Sequence, residues 1–489
     1  MKENPETKSI KATAGEVNEE QAAAGKTDQS KKDKQAAKAK KAAAKAKKKA
    51  ERQERREVRR HKFAWAFFKL TLTRYFIRKF RYSYDSLKEV EGPFLVLANH
   101  NMELDPALVG IAAGRQIYFV ASEHIMRKGL GTWFLRTFFR PIIHTKGKTG
   151  AKSVMAIIKA LKKGHNVCLF AEGNRSFSGV TGEILPATGK LARAAGASLV
   201  TFRIEGGYLT QPRFSTSYRK GKTYGHLVHV YKPEELRAMS DNEMNEAINR
   251  DLFEDAYAVQ DEKMIPYKGK DLTKGIESTL FYCPACHGFN TLTSMSRKDK
   301  LSIGTPGQGS AALADAKDLV RCACGFEATY NVYGYLECSD GVTRNMRDWD
   351  REQHEALMEA VANGTLPAFR DCVTIRPIDI NHRAGNGTEY LLTVENGNIT
   401  LAEEKVNGSQ TASDVSKGAD AAHEMPLAAA PAVKPIPLSD IAGLAIYSRN
   451  HINVIYGADE QQYDVRGDIG FNALKYMYLR QMYLKETES

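Results

Sequence analysis

Long hydrophobic runs are missing from this sequence of 489 residues, since no window of 18 residues is both apolar and uncharged. A membrane-spanning helix is therefore not expected. The start of the chain also lacks the apolar segment and small-residue cleavage site of a secretory signal. Cysteine is scarce, at 7 residues, and four of the cysteines form two close pairs, which favours metal binding in a reducing compartment over disulfide bonds. No Gly-x-Ser-x-Gly segment is present, which counts against a serine hydrolase.

Positive charge is abundant, but it is concentrated at one end of the chain. The net charge is +13, and residues 1–90 alone carry 26 Lys and Arg against 12 Asp and Glu. Residues 1–62 are rich in alanine and lysine and have few large apolar side chains, which predicts a disordered basic arm or a solvated helix. Such an arm attracts anionic lipid or nucleic acid, although a solubilising tail without a partner has the same composition.

Residues 63–84 mix aromatic and aliphatic side chains with cations. The apolar members include Phe67, Phe68, Phe76 and Ile77. This mixture is typical of an amphipathic helix that lies in a membrane interface, with the basic arm drawn toward anionic headgroups. Because cations fall on several faces of such a helix, a helix packed against the core is the alternative.

Between residues 85 and 265, segments with strand-like and helix-like patterns alternate. This alternation predicts an α/β domain, in which a mostly parallel sheet is covered by helices. The predicted strands lie at 94–98, 117–121, 166–171 and 197–204, and the predicted helices at 106–113, 154–164, 189–195 and 240–252.

The predicted strand at 94–98 carries polar residues at its carboxyl end. His100 comes directly after Asn99, and Asp105 follows five residues later, before Pro106. Ligands of open α/β sheets bind beyond the carboxyl ends of the strands. A carboxylate that holds one imidazole nitrogen leaves the other to take a proton from a hydroxyl. The alternative for Asp105 is an N-cap of the helix that starts at Pro106.

A second polar segment, with the sequence Glu-Gly-Asn-Arg-Ser at 172–176, follows the predicted strand at 166–171. A glycine, a guanidinium and a hydroxyl suit a phosphate pocket, because arginine binds phosphate oxygens as a bidentate fork. A strand-to-loop turn with a surface salt bridge is the alternative. Both polar segments follow neighbouring strands, so we expect them to share one pocket.

Together, the Asn-His-x-x-x-x-Asp-Pro and Phe-x-Glu-Gly-x-Arg-Ser motifs resemble the 1-acylglycerol-3-phosphate acyltransferase family over about residues 85–260. The resemblance implies that His100 is the general base and that Asp105 orients it. It also implies an acceptor site in which Arg175 binds the phosphate. The residues placed in this acceptor site are Glu172, Gly173, Arg175 and Ser176.

The implied reaction moves an acyl group from a thioester to a glycerol hydroxyl, without a covalent enzyme intermediate and without a catalytic metal. The donor is acyl-CoA or acyl carrier protein. One departure from the family pattern concerns the acceptor. Where the family usually carries an arginine between the two motifs, His144 is the nearest residue, and Lys146 is the cation that could supply the charge instead.

Residues 273–345 carry two close cysteine pairs among short strand-like segments. The four cysteines are Cys283, Cys286, Cys322 and Cys324. Two such turns bring four thiolates around one tetrahedral ion, which predicts a zinc-ribbon-like domain with a structural zinc. Because the second pair is one residue tighter than usual, His287 or Cys338 could replace a ligand. The alternative is a ribbon-shaped unit that has lost its metal.

Residues 346–489 are predicted to form a β-rich C-terminal unit. An Ala/Ser/Pro-rich linker is expected near 403–434, and the hairpin-rich pattern with a final helix suggests a small barrel. The expected elements are a helix around 346–362, strand-like runs at 373–380, 390–399, 444–447 and 452–456, and a helix at 471–485.

The sequence therefore predicts a peripheral enzyme on the cytoplasmic face of the cell membrane that acylates a lysophospholipid, lysophosphatidate, to phosphatidate. Acylation of glycerol 3-phosphate or of another lysophospholipid is the alternative within this class. From another class, a basic tail with a zinc ribbon could mean a nucleic-acid-binding protein. The residues beyond 90 carry slightly more acidic than basic side chains, so a basic groove is not expected there and nucleic acid is the less favoured partner.

Overall fold

The computed structural model describes residues 6–127, 130–144, 150–295, 318–379, 382–403, 434–468 and 470–488. The chain divides into two units, residues 1–64 and residues 65–489. Among the described residues, no helix combines the length and the hydropathy needed to cross a bilayer.

The described part of the basic arm is helical. Helix α1 (Glu6–Thr71) contains the segment rich in alanine and lysine, and the side chains of residues 40–53 are all exposed. Alanine and lysine both favour the helical backbone, and the scarcity of large apolar side chains in this segment gives it no face to bury. Of the two states that the sequence allows for this arm, the described residues adopt the solvated helix.

The aromatic stretch at 63–84 is divided between three elements. These are the end of α1, helix α2 (Thr73–Phe80) and strand β1 (Tyr82–Tyr84). Arg81 ends α2 in a left-handed backbone conformation, with φ of 45°. Phe76 and Phe80 stack on each other inside the hydrophobic core. The prediction that Phe76 belongs to a membrane-facing surface is therefore wrong, because this side chain packs against the protein.

A seven-stranded sheet is the centre of the α/β domain. Its remaining strands are β2 (Phe94–Ala98), β3 (Ile117–Ser122), β4 (Ile142–His144), β5 (Asn166–Phe170), β6 (Ser198–Glu205) and β7 (Thr223–Tyr231). The order across the sheet is β1-β7-β6-β2-β5-β3-β4. All neighbouring strands are parallel except β6 and β7. The predicted α/β fold is confirmed, and the sheet is mixed because of this one antiparallel pair.

Strand β2 lies in the middle of the sheet, and every one of its residues is buried. Successive side chains of a strand point to opposite faces. Accordingly Phe94, Val96 and Ala98 pack into one hydrophobic core, whereas Leu95 and Leu97 pack into a second core on the other face. The continuous apolar run is thus explained by burial on both faces, and the end of this run sets the position of His100.

Helices cover both faces of this sheet. They are α3 (Asp105–Ala113), α4 (Leu130–Phe134), α5 (Ala151–Lys162), α6 (Ala187–Ala195), α7 (Gly207–Thr210), α8 (Pro233–Ala238), α9 (Asp241–Leu252) and α10 (Ala256–Lys263), with a 3-10 turn at Glu123–Arg127 and a π-helical turn at Leu135–Phe139. A capping box starts α9: the Ser240 hydroxyl accepts the Glu243 N–H, and the Glu243 carboxylate accepts the Ser240 N–H.

A five-stranded antiparallel sheet follows the α/β domain. Its strands are β8 (Leu292–Met295), β9 (Leu319–Cys322), β10 (Glu327–Tyr330), β11 (Tyr335–Cys338) and β12 (Thr343–Asn345), in the order β12-β11-β10-β9-β8. This sheet contains the predicted cysteine turns. Its buried side chains belong to the same hydrophobic core as Tyr208 and Tyr257 of the α/β domain.

The C-terminal unit is β-rich, as predicted. Its elements are α11 (Met346–Ala362), β13 (Phe369–Ile378), β14 (Thr388–Glu395), β15 (Asn398–Glu403), β16 (Ile436–Pro437), β17 (Ile441–Ser448), β18 (His451–Tyr456), β19 (Gln461–Gly467) and α12 (Ala473–Glu488). The strands form one sheet in the order β16-β15-β14-β13-β19-β18-β17. Because β16 and β17 are its two unpaired edges over the described ranges, the sheet is open, and the prediction of a closed barrel is wrong.

Candidate active site

The histidine and the aspartate that follow β2 form a hydrogen-bonded pair. His100 Nδ1 and Asp105 Oδ2 are 2.8 Å apart, and the imidazole is 21% exposed whereas the carboxylate is fully buried. The same carboxylate oxygen accepts the backbone N–H groups of Asn101 (2.6 Å) and Met102 (2.9 Å). These contacts fix Asp105 in the position from which it orients the imidazole.

The interpretation of Asp105 as an N-cap is wrong. Leu104 occupies the cap position of α3, and Asp105 is the first helical residue. The carboxylate turns back toward the loop that precedes the helix and satisfies the N–H groups of that loop. Pro106 fits the next helical position because it has no N–H to satisfy there.

The two sequence motifs meet at the backbone of His100. The Glu172 carboxylate accepts the His100 N–H (2.6 Å), and the Ser176 N–H donates to the His100 carbonyl (2.8 Å). The imidazole stacks on Phe170, the last residue of β5, with ring centroids 4.4 Å apart. The loop after β5 therefore positions the loop after β2, and the structure brings the two segments together as the strand-end argument predicts.

Arg175 lies in the loop after β5, beside the histidine–aspartate pair. Gly173 turns this loop with a φ of 68°, a left-handed conformation that side-chain-bearing residues adopt only with strain. Arg175 Nη2 lies 3.6 Å from Glu103 Oε1. The other terminal nitrogen, Nη1, is buried and has no hydrogen-bond partner among the described residues. A buried guanidinium N–H without an acceptor is costly, and an anionic ligand would satisfy it.

Two further arginines lie close to Arg175. Arg213 is buried and donates to the carbonyls of Arg175 (3.0 Å) and Ile446 (3.4 Å). Arg449, in the turn between β17 and β18, donates to the Phe214 carbonyl (3.2 Å). Burial lowers the pKa of the Arg213 guanidinium well below its usual range, and the neighbouring Arg175 charge lowers it further. Positive charge thus accumulates at this edge of the sheet, and part of it comes from the C-terminal unit.

A network of amides and a carboxylate holds the other side of the β2 loop. Asn99 Oδ1 accepts the Ile204 N–H (2.7 Å), and Asn99 Nδ2 donates to the Ile204 carbonyl (3.0 Å). The asparagine side chain therefore continues the pairing of β2 with β6. Glu254 accepts N–H groups from the side chains of Asn99 (3.2 Å) and Asn101 and from the backbone of Gly206 (3.1 Å). These contacts fix the loop that carries His100 against β6.

Two buried glutamates of this site titrate near neutral pH. Burial raises the pKa of Glu172 to about 8, although the backbone N–H groups that it accepts oppose the shift. Burial likewise raises the pKa of Glu254 to about 8, opposed by its N–H donors. Both carboxyls therefore bind their proton more tightly in the folded chain than in the unfolded chain.

We expect the free energy of unfolding to fall as pH rises through the window between the ordinary value of 4.5 and the folded value of about 8. In this window Glu254 keeps its proton when folded and loses it when unfolded, which disfavours folding by up to about 1.4 kcal/mol per pH unit. Glu254→Gln imitates the protonated side chain and should flatten the dependence. Denaturant unfolding at several pH values in this window measures the free energy of unfolding. Glu246→Gln, a change of an exposed side chain, is the control. Equal pH slopes for the wild type and Glu254→Gln would contradict the expectation.

Of three further predicted site residues, one holds its own loop, one lies on a distant strand and one is outside the described residues. The Ser176 hydroxyl donates to the Val180 carbonyl (2.8 Å) and accepts the Gly179 N–H (2.9 Å), so it holds the turn of its own loop. His144 ends β4, which two strands separate from β2, or about 14 Å at the usual spacing. Lys146 lies outside the described residues.

Sequence reasoning missed several residues that shape the site. Asn99 was part of the motif, but its pairing with β6 depends on a strand order that the sequence does not state. Glu254 follows α9 without any motif. Arg213 and Arg449 are far from the two motifs in sequence. The unusual feature that could have marked Arg213 is its place in Gln-Pro-Arg-Phe, a polar turn inside an otherwise buried segment.

The fold and the site together define a class of protein, the α/β domains that carry a histidine–aspartate pair at the carboxyl ends of their strands. Residues 78–205 match the family model described as Acyltransferase, so this part of the chain belongs to the acyltransferase family. A similar solved structure is the 1-acyl-sn-glycerophosphate (LPA) acyltransferase PlsC from Thermotoga maritima, at 19% identity over 37% of this chain and 72% of that chain, with a TM-score of 0.32. This likeness is too low to transfer a substrate. No curated protein matches the chain.

Proposed function

We propose that the chain transfers an acyl group from a thioester to the free hydroxyl of lysophosphatidate, giving phosphatidate. The observation that carries the proposal is the His100–Asp105 pair, 2.8 Å apart, beside the buried Arg175 guanidinium in an acyltransferase-family domain. The pair supplies a base for a hydroxyl, and the guanidinium supplies a partner for a phosphate.

His100 acts as the general base in this proposal. Asp105 holds Nδ1 and stabilises the imidazolium, so the remaining ring nitrogen, Nε2, takes the proton of the acceptor hydroxyl. The hydroxyl oxygen attacks the thioester carbonyl, the carbon–sulfur bond breaks, and the departing thiolate receives the proton from His100. A positioned base of this kind contributes about 10²–10⁴-fold to the rate, and alignment of the two substrates supplies much of the rest. No metal takes part in these steps.

The acceptor's phosphate lies against Arg175 in this proposal. The unpartnered Nη1 offers a donor, and the positive charges of Arg213 and Arg449 raise the local potential. Among the described residues, no carboxylate oxygen lies within 4.0 Å, the limit for a salt bridge, of a guanidinium nitrogen of Arg213 or Arg449. A phosphate monoester, which carries up to two negative charges, compensates such a site better than a phosphodiester does. Lysophosphatidate therefore suits this site better than phosphodiester lysolipids do.

Turnover of the purified full chain against a panel of acceptors tests the proposal. The panel contains lysophosphatidate, glycerol 3-phosphate and lysophosphatidylcholine, each with acyl-CoA and with acyl carrier protein as donor. We expect the highest kcat/KM with lysophosphatidate. A preference for glycerol 3-phosphate would select the alternative acceptor and retain the chemistry. Absence of acyl transfer to every acceptor would reject the function.

We also infer that the chain acts at an anionic membrane surface, on its cytoplasmic face. Four large apolar side chains near α2 are exposed: Phe67, Leu70, Leu72 and Tyr75. A groove of about 640 Å³ borders Tyr75, and its lining includes the cations Arg74, Arg78, Lys79 and Lys220. Exposed apolar side chains beside cations suit the interface of an anionic bilayer.

Replacement of Phe67, Leu70, Leu72 and Tyr75 by Ser should weaken binding to anionic vesicles about 10³-fold, even at high salt, because insertion of each of the four side chains is worth about 1 kcal/mol. Vesicle sedimentation measures this effect. Turnover of a short-chain, water-soluble acceptor should stay unchanged, because these side chains do not reach the catalytic pair.

A control variant replaces two exposed methionines outside this group, Met155 and Met358, by Ser and should bind the vesicles as the wild type does.

Deletion of residues 1–62 should remove the salt-sensitive part of the vesicle binding, since each cation near the surface contributes about 1 kcal/mol that salt screens. Unchanged binding of the fourfold Ser variant would show that this surface is not the anchor.

A further inference from the structure

The four cysteines of the second sheet form one compact cluster. Cys283 and Cys286 lie in the turn before β8, Cys322 ends β9, and Cys324 lies in the turn between β9 and β10. Their four Sγ atoms all lie within 4.8 Å of one another. The closest contacts across the two turns are Cys283 with Cys324, at 3.9 Å, and Cys286 with Cys322, at 3.7 Å.

These distances are those of a tetrahedral tetrathiolate site. With a metal–sulfur bond of about 2.3 Å, the edge of the sulfur tetrahedron is about 3.8 Å. The two distances across the turns fall on either side of this value. None of the four cysteines forms a disulfide, and their sulfur atoms all lie within 4.8 Å of one another, close enough for one ion to bind all four.

Backbone N–H groups near both cysteine pairs donate hydrogen bonds to the sulfur atoms, as they do to metal-bound thiolates. The N–H groups of Ala285 and Cys286 donate to the Cys283 sulfur. The N–H groups of Cys324 and Phe326 donate to the Cys322 and Cys324 sulfurs, respectively. Such donors orient thiolate ligands and stabilise their charge. The turn at the second pair is possible because Gly325 adopts a φ of 93°.

The two alternative ligands lie outside the cluster. The Nδ1 atom of His287 is hydrogen-bonded to the Tyr282 hydroxyl. The Cys338 sulfur donates to the Leu336 carbonyl at 3.5 Å. The tighter Cys-x-Cys pair therefore supplies both of its own sulfurs, and no substitute ligand is required.

We propose that Cys283, Cys286, Cys322 and Cys324 bind one zinc ion. The ion stabilises the packing of the five-stranded sheet in the hydrophobic core that this sheet shares with the α/β domain. Four thiolates in tetrahedral geometry select zinc among the common divalent ions. The ion is structural, because four protein ligands leave no position for a substrate.

The shared core extends the effect of the metal beyond the ribbon. Cys283 and Cys322 are buried members of the same hydrophobic cluster as Tyr208 and Phe214 of the α/β domain. Trp349 of α11 also belongs to this cluster, and its indole N–H donates to the Tyr282 carbonyl, next to the first cysteine (2.9 Å). Loss of the ion should therefore destabilise the α/β domain as well as the five-stranded sheet.

Elemental analysis of the purified full chain tests the site directly. We expect about one zinc per chain, and replacement by Co²⁺ should give the intense visible absorption of a tetrahedral thiolate complex. Less than about a tenth of a zinc per folded chain would overturn the proposal, as would stoichiometric iron.

Two variants separate the ligands from an ordinary cysteine. Cys286→Ser changes an exposed ligand and should lose zinc and lower the melting temperature of the whole second unit. Cys338→Ser changes a thiol of the same sheet outside the cluster and should keep both the zinc and the wild-type melting temperature. If Cys286→Ser does not fold, a chelator titration of the wild type replaces it: removal of the ion should unfold the ribbon and lower the melting temperature, and added Zn²⁺ should restore both. Retention of zinc by Cys286→Ser, or an unchanged melting temperature after chelation, would overturn the proposal.

Discussion

Replacement of His100 by Ala should lower kcat for acyl transfer by about 10³-fold or more, because the acceptor hydroxyl then loses the base that takes its proton. The imidazole is partly exposed at the end of a buried strand, so its removal leaves the core intact and the melting temperature close to that of the wild type. Steady-state kinetics with lysophosphatidate and acyl-CoA measure the effect.

His165→Ala is the matched control for this change. His165 lies just before β5, at the opposite edge of the sheet from His100, and its loss should leave kcat unchanged. Asp105→Asn should lower kcat in the same direction as His100→Ala, because the amide holds the imidazole without stabilising its charged form. Turnover of His100→Ala within a few-fold of the wild type would contradict the proposed base.

Replacement of Arg175 by Gln should lower kcat/KM for phosphorylated acceptors by about 10²-fold. Loss of a charged hydrogen-bond partner from a buried site costs about 2–5 kcal/mol, and the phosphate also aligns the hydroxyl for attack. Arg175→Lys should rescue little of this loss, since an ammonium cannot reproduce the guanidinium fork. Kinetics with lysophosphatidate and with a neutral monoacylglycerol measure the effect, which should be confined to the phosphorylated acceptor.

Arg449→Gln should lower kcat/KM for the phosphorylated acceptor in the same direction but by less, because Arg449 acts through its charge from the turn between β17 and β18. Arg370→Gln removes an exposed cation from the same C-terminal unit and should have no effect. An equal loss with neutral and phosphorylated acceptors in Arg175→Gln would show that this arginine maintains the loop and does not bind phosphate.

The catalytic segment was predictable because its determinants are local. A buried apolar run, a strand end and a helix start within twelve residues place His100 and Asp105 on one loop. The contact between the two motifs was also predictable, because parallel neighbouring strands end at the same edge of a sheet. The exact start of the helix was not, since Asp105 suits the cap position as well as the first helical position.

The residues missed by the sequence are those held by long-range contacts. Glu254 reaches Asn101 across 153 positions, and Arg213 reaches Ile446 across 233 positions. No local pattern encodes such pairs. The burial of Phe76 was not predicted either. A helix with cations on several faces has no continuous apolar stripe that would identify its packed side.

The turn between β14 and β15 has a local sequence signal. The predicted strand at 390–399 is a hairpin, in which β14 and β15 are joined by Asn396 and Gly397. Both residues adopt a positive φ, of 46° and 73°, as the two-residue turn of a hairpin requires. The Asn-Gly pair between two apolar runs was a sufficient indication of this turn.

The proposed reaction couples cleavage of the thioester to acylation of the acceptor hydroxyl. The most direct measurement follows free thiol and phosphatidate together, with purified full chain, acyl-CoA and lysophosphatidate. We expect thiol and phosphatidate to appear in equal amounts, neither to appear without the acceptor, and His100→Ala to form neither at a measurable rate. Release of thiol in the absence of acceptor, or formation of no acylated product by the wild type, would contradict it.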